Sequence, residues 1–376
     1  MFFSFFDVLI LIGITQGLVA TLLLLFSREK KINHVLLALA ILSLCLLFFK
    51  ILLAFTGLAR EVPFRYLPNA FELATAPLFY FYLVALVEKD FSWQSKYWVH
   101  FIPFAMAQLY AFYIFGSVLG LPTAALQDAI AHQRYYVLFK EIEDWMIVVS
   151  ILSYLGLGYR KYSAFQQQVK NNTADTAYPT LNWLRNILLL SILLLVFLVI
   201  NMTTSRLTQV DAYTDWHWKL YFIYVAAVTY YLGFMAYRQQ APDLEQVYPS
   251  KLSSDTAKVA SEELEPLADR LRHLLAIEKI YLDPSLNARQ VAERLAINPT
   301  HLSQMINSQF NKSFRELIND YRIEEVKAKL LEQDSKASVL SLALESGFNS
   351  EASFYRVFKK STGLTPKAFI REHAVL

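Results

Sequence analysis

Charge is scarce in this chain. Asp, Glu, Lys and Arg make up 18% of its 376 residues, against about 25% in an ordinary soluble domain, so most of its length does not read as a water-soluble fold. Cysteine is scarcer still: Cys45 is the single one, which excludes an intramolecular disulfide and a thiolate metal cluster. The seven histidines form no H-E-x-x-H pair and no other ligand spacing, so no metal site is expected. The segment "GSVLG" at 116–120 puts Ser117 directly after the first glycine, off the central position of a nucleophile elbow. No glycine-rich loop is spaced to cradle a phosphate. The expectation is a non-enzymatic protein with no cofactor and no catalytic residue.

What is abundant is apolar sequence, and it is unevenly spread. Residues 1–237 are a succession of greasy blocks, whereas 238 onward has the mixed charge of a soluble domain. A bilayer core asks for about 20 apolar residues per helix. Seven runs qualify: 3–26, 35–57, 67–87, 98–121, 144–159, 181–203 and 216–237, the fifth being the shortest. The first lacks a basic leader and a small-residue cleavage pattern and carries Asp7, so it reads as a retained span. All six tryptophans fall at or near span ends, where an amphipathic ring sits at headgroup level.

Basic residues in short loops favour the cytoplasm. Loops after odd-numbered spans hold nine Lys and Arg and loops after even-numbered spans five, which puts the N-terminus outside and delivers residue 238 to the cytoplasm. Residues 238–261 contain Pro242, Pro249 and a run of small polar residues with no helical stripe, and read as a linker, either a flexible coil or partly a stalk continuing the seventh helix. The organisation expected is thus a transmembrane region at 1–237, a linker at 238–261 and a soluble domain at 262–376. The fold class is all-α throughout.

The soluble end repeats one piece of grammar. "LNARQVAERLAINPTHLSQMIN" is a helix, a tight turn and a second helix, with Asn298 as N-cap, Pro299 at the first helical position, Ala292 small where the helices cross, and Leu302 and Met305 facing the core. About fifty residues on, "VLSLALESGFNSEASFYRVFKK" has Ala343 at the crossing, Gly347 where the first helix stops, Phe348 to plug the core and Ser350 as the next cap. Between them "SFRELINDYRIEEVKAKLLEQ" reads as one long helix. "STGLTPKAFIRE" ends a helix at Gly363 and starts another at Thr365 and Pro366.

Two such units joined by a long helix, with a final "GF", Phe354 and Phe358 one turn apart, "FKK", Gly363 and "TP", resemble the DNA-binding domain of the AraC/XylS family over about 100 residues. Seven spans followed by this domain resemble the membrane-embedded AraC-type regulators of bacteria. The resemblance implies a homeodomain-like double helix-turn-helix whose two recognition helices enter successive major grooves, about 34 Å apart. Matched position by position, it assigns Thr300, Ser303 and Gln304 on the first helix and Ala352, Ser353 and Arg356 on the second to the bases. Arg356 suits guanine and Gln304 adenine. Lys312, Ser313, Ser350, Lys359 and Lys360 are assigned to phosphates, which position without specifying. The chain departs from the family at Asn311 and Ala296, where glycine is common. Asparagine tolerates the left-handed conformation best among other residues.

Residues 262–376 hold 16 basic and 16 acidic residues, so affinity for DNA must rest on local placement of charge or on a homodimer that raises effective concentration. Polar residues inside spans are functional candidates. Asp7, Lys50 and Glu72 fall in the outer half of the first three spans and are expected to line a ligand pocket. The partners expected are double-stranded promoter DNA, the lipid bilayer of a bacterial inner membrane, and an unidentified small-molecule or membrane signal. The other reading open at this level is a membrane scaffold or transport-related protein whose helical end binds a protein.

Overall fold

A computed structural model of the chain describes residues 4–27, 31–174, 181–208, 216–238, 244, 264–331 and 338–373. All the regular elements among them are helical. The linker expected at 238–261 lies, save for Arg238 and Leu244, outside the described residues. The chain divides into two units: Met1–Tyr162 with Leu181–Ala241, and Ser163–Thr180 with Pro242–Leu376.

The first unit contains α1 (Phe5–Leu25), α2 (Ile32–Phe55), α3 (Glu72–Val87), α4 (Ile102–Val118), a short α5 (Ala124–Gln133), most of α6 (Tyr136–Asn172), α7 (Asn182–Thr208) and α8 (Trp216–Arg238). Each of the seven apolar runs contributes a helix. Among the described residues, five helical segments are long and apolar enough to cross a membrane; Glu72–Val87 is apolar but shorter. The interior forms where α1, α2 and α8 meet, around Phe6, Ile10, Phe48, Ile51, Tyr221 and Val225. The first two helices come together at Gly17, where an added Cβ would stand 2.4 Å from Cys45 Sγ. Outward faces stay apolar: Leu189, Ile192, Val196 and Ile200 of α7 are all exposed.

The fifth run departs from expectation. A span of 16 residues at 144–159 is embedded in a 37-residue helix. The extension "RKYSAFQQQVKNN" contains neither glycine nor proline, so nothing in it stops helix propagation. Its residues 163–172 belong to the second unit, although the sequence suggested a loop of the membrane region.

The second unit also holds α9 (Leu264–Ala276), α10 (Ala288–Leu295), α11 (Pro299–Phe310), α12 (Phe314–Leu331), α13 (Val339–Glu345), α14 (Glu351–Thr362) and α15 (Pro366–His373). The helix ends obey the expected grammar. Asn298 accepts from Thr300 N at 2.8 Å with Pro299 following, and Ser350 accepts from Ser353 N at 3.3 Å. Ala296 and Asn311 take the left-handed conformation at φ 56° and 52°, so the two departures from glycine preserve the turns.

Two cores result. One gathers Leu271, Val291, Leu295, Leu302, Met305 and Ile306, the other Phe348, Phe354, Phe358 and Phe369. The linking helix α12 serves both, giving Phe314, Leu317 and Ile318 to the first and Ile323 and Val326 to the second.

Candidate nucleic-acid interface

The two recognition helices are α11 and α14. On α11, Thr300 and Gln304 are exposed, as the outward face requires. Ser303 is half-buried and its hydroxyl donates to Asn171 O at 3.5 Å. On α14, Ala352 and Arg356 are exposed. Ser353, by contrast, is 4% exposed, and its hydroxyl donates back to Ser350 O at 2.8 Å. It stands in the first turn after the cap, where short hydroxyl side chains bond the local backbone.

Among the residues assigned to phosphate, Ser350 is occupied as a cap and Lys359 is exposed. Lys312 pairs with Asp320 at 2.6 Å, and Lys360 lies 3.7 Å from Glu316. Ser313 is engaged locally. It is 7% exposed and forms a capping box with Glu316, its N–H and hydroxyl both donating to Glu316 Oε2 at 3.1 and 2.9 Å while Glu316 N donates to Ser313 Oγ. These donors, with Lys360 and Lys170 nearby, hold the Glu316 carboxyl below its ordinary range.

A buried arginine that sequence reasoning passed over holds the two half-domains together. Arg322 of α12 is 1% exposed; its Nε donates to Tyr281 O at 2.8 Å and its Nη2 to Asp283 O at 2.7 Å. Both acceptors lie in the turn before α10, so the guanidinium fastens the first half to the linking helix. Gly347 packs on the same turn at φ 90°, and a Cβ there would meet Tyr281 O at 2.4 Å. The signal was present in the sequence: Arg322 stands four residues from both Ile318 and Val326, inside the apolar stripe.

The end of α6 adds a further set of contacts to this unit. Thr173 forms an isolated antiparallel bridge with Asn287, Ala174 N donates to Leu286 O at 3.3 Å, and Ala174 is buried in the aliphatic core. Arg315 donates from Nε to Thr173 O at 2.9 Å and from Nη2 to Val169 O at 3.5 Å.

Two half-domains with capped recognition helices, joined by a shared helix, match what the comparisons find. A family model described as a helix-turn-helix domain matches residues 291–372. The C-terminal domain is of the AraC type. An HTH-type transcriptional regulator of Bacillus subtilis is 36% identical over 89 residues, 24% of this chain and 36% of that protein. One from Staphylococcus aureus is 29% identical over 101 residues, 27% of this chain and 13% of the relative. The shared segment thus spans well under half the length of these relatives. Among solved structures, the C-terminal domain of AraT, a response regulator from Geobacillus stearothermophilus, is 29% identical, covering 29% of this chain and 88% of that one with a TM-score of 0.27. The matched segment begins inside α10 and takes in α11 and α14.

In the first unit, two of the three polar residues assigned to a pocket form an ion pair. Lys50 Nζ lies 3.2 Å from Glu72 Oε1. Asp7 accepts through Oδ2 from Ser4 N and Ser4 Oγ at 2.8 and 2.7 Å, completing the capping box of its own helix. Glu72 borders a cavity of about 160 Å³ between α2, α3, α6, α7 and α8, apolar except for such groups as Thr75, Tyr80, Tyr154, Ser191 and Thr229.

Proposed function

We propose that this protein is a membrane-anchored, sequence-specific regulator of transcription that couples a signal at the membrane to promoter binding. The observation that carries the reading is an AraC-type domain with exposed Gln304 and Arg356 on its two recognition helices, in one chain with helices whose outward faces are apolar. Such continuous greasy surface is uncommon on a water-soluble monomer and natural in lipid. The nine-to-five bias of basic residues supports an outside N-terminus and a cytoplasmic DNA-binding domain, and the domain's balanced charge favours a dimer on DNA.

In this reading Arg356 takes a guanine and Gln304 an adenine, Thr300 and Ala352 allow close approach, and Lys359 and Lys360 meet phosphates. The bundle cavity is the receptor site. Its lining runs from Glu72 to Leu83 on α3, from Ile147 to Gly158 on α6 and from Leu184 to Leu194 on α7, each about 16 Å of helix at 1.5 Å per residue. An elongated apolar slot with one ionisable end suits a single-chain amphiphile, its head at the Lys50–Glu72 pair.

The test is genome-wide occupancy of the full-length protein beside an Arg356→Ala/Gln304→Ala variant, with membrane fractionation of both. Discrete peaks that vanish in the variant, from protein in the membrane pellet, are the expected result. Well-inserted protein without peaks across growth conditions overturns it and redirects attention to a protein partner of residues 262–376. If Lys50→Ala and Glu72→Ala proteins insert and respond normally to the inducing condition, the receptor assignment falls.

A further inference from the structure

The first recognition helix carries an occupant other than DNA. A major groove about 12 Å wide admits a helix and little else. Here the Ser303 side of α11 is taken by the backbone of Asn171, and the start of α12 is taken by the carbonyls of Val169 and Thr173 on Arg315.

The chemistry of that occupant resembles the chemistry of DNA. Carbonyls near the end of a helix carry the negative half of its dipole; Val169 O already accepts from Thr173 N at 3.1 Å and takes Arg315 as a second donor, while Thr173 O lies just past the helix end. At the end of α6 these acceptors meet a guanidinium beside a helix N-terminus, a setting that otherwise attracts phosphate. The chain is then sealed in by the Thr173–Asn287 bridge and the burial of Ala174. The attachment thus comprises a main-chain pairing, two guanidinium bonds and a core residue.

We propose that residues 163–174 form an autoinhibitory clamp, a protein substitute for phosphate that covers the first helix-turn-helix and must leave before that half can enter its groove. The proposal rests on the reading of this domain as a DNA binder. Residues 163–172 continue a helix that begins at Tyr136. The second recognition helix remains the one that makes first contact.

The test uses full-length protein in lipid nanodiscs, carrying Cys45→Ser throughout, with duplex DNA taken from its strongest occupancy peak. Asn171→Cys/Ser303→Cys protein should form a disulfide when oxidised without DNA, lose most of its affinity, and recover it on reduction. Ala174→Asp places a charge where the core holds a small apolar residue and should eject the segment, raising affinity roughly five- to hundredfold, the range of ordinary coupling between sites. Failure of the disulfide to form, or unchanged affinity in the oxidised protein, overturns the clamp. Equal affinity of Ala174→Asp and its parent, with α10 and α11 still protected from hydrogen exchange, does the same. If parent and released protein both ignore every duplex, it is the DNA-binding reading that fails.

Discussion

The first half of the second unit's double helix-turn-helix closes over mostly aliphatic side chains contributed by α9, α10, α11 and the start of α12, whereas the second closes over four phenylalanines, three on helices and Phe348 in the turn between α13 and α14. Phe354 and Phe358 stand 5.5 Å apart, and Phe358 and Phe369 5.6 Å apart, both edge to face. Rings in this arrangement add about 0.5–1.5 kcal/mol per pair beyond the area they bury. Stability in the second half is therefore concentrated in a few large side chains, and in the first it is distributed over many. The exposed surfaces differ as well: α11 bears the end of α6, and α14 presents Arg356.

The sharpest way to break this comparison is Phe358→Ala. Deleting a buried ring costs about 3–5 kcal/mol, and the loss should appear as faster hydrogen exchange in α13, α14 and α15 with α10 and α11 little changed; equal loss in both halves would mean that the cores are one. Gly347→Ala comes next, at about 2–4 kcal/mol, because it combines left-handed strain with a Cβ pressed on Tyr281 O. Thermal unfolding should show it, and here both halves should suffer, since Arg322 and the turn at Tyr281 lie at their junction.

Arg356→Ala leaves the fold intact and should cost about 1–3 kcal/mol of operator affinity while relaxing specificity at one base pair. Gln304→Ala should cost less until the end of α6 is released, a difference that competition binding to mutated operators resolves. The smallest effect is electrostatic. Glu316 is held below its ordinary value by Ser313, so its capping bond contributes stability that is fully present above the unfolded glutamate value near ~4.3 and is lost as pH falls through the lower folded value. Acid titration of Glu316→Gln beside the parent should show the parent's advantage only on the neutral side of that window.

Much of this arrangement was legible in the sequence because it is written in local rules. Asn298–Pro299, Ser350, Gly347 and Gly363 punctuate helices through bonds and dihedrals that span a few residues, and apolar runs announce spans by length alone. What escaped notice depends on distant chain segments. The end of α6 finds its partners more than a hundred residues away, at Ser303 and Arg315. Arg322 is meaningful only once the turn at Tyr281 is placed over it. The burial of Ser353 was hidden for a different reason: a serine three residues after a cap bonds that cap, and periodicity alone could not separate its face from that of Ala352.

In the proposed reading, the shared helix α12 also determines what kind of operator the chain can read. Both half-domains are anchored to its 18 residues, so the angle between the two readers is set by helical phase. Inserting one residue there would turn the second reader by about 100° and shift it by about 1.5 Å relative to the first. Inserting one base pair between the half-sites would turn one of them by about 35° around the duplex axis, given about 10 base pairs per turn. Neither change can cancel the other, so the operator spacing is a constant of this chain, and promoters under its control should vary in their bases far more readily than in the distance between their two contacted steps.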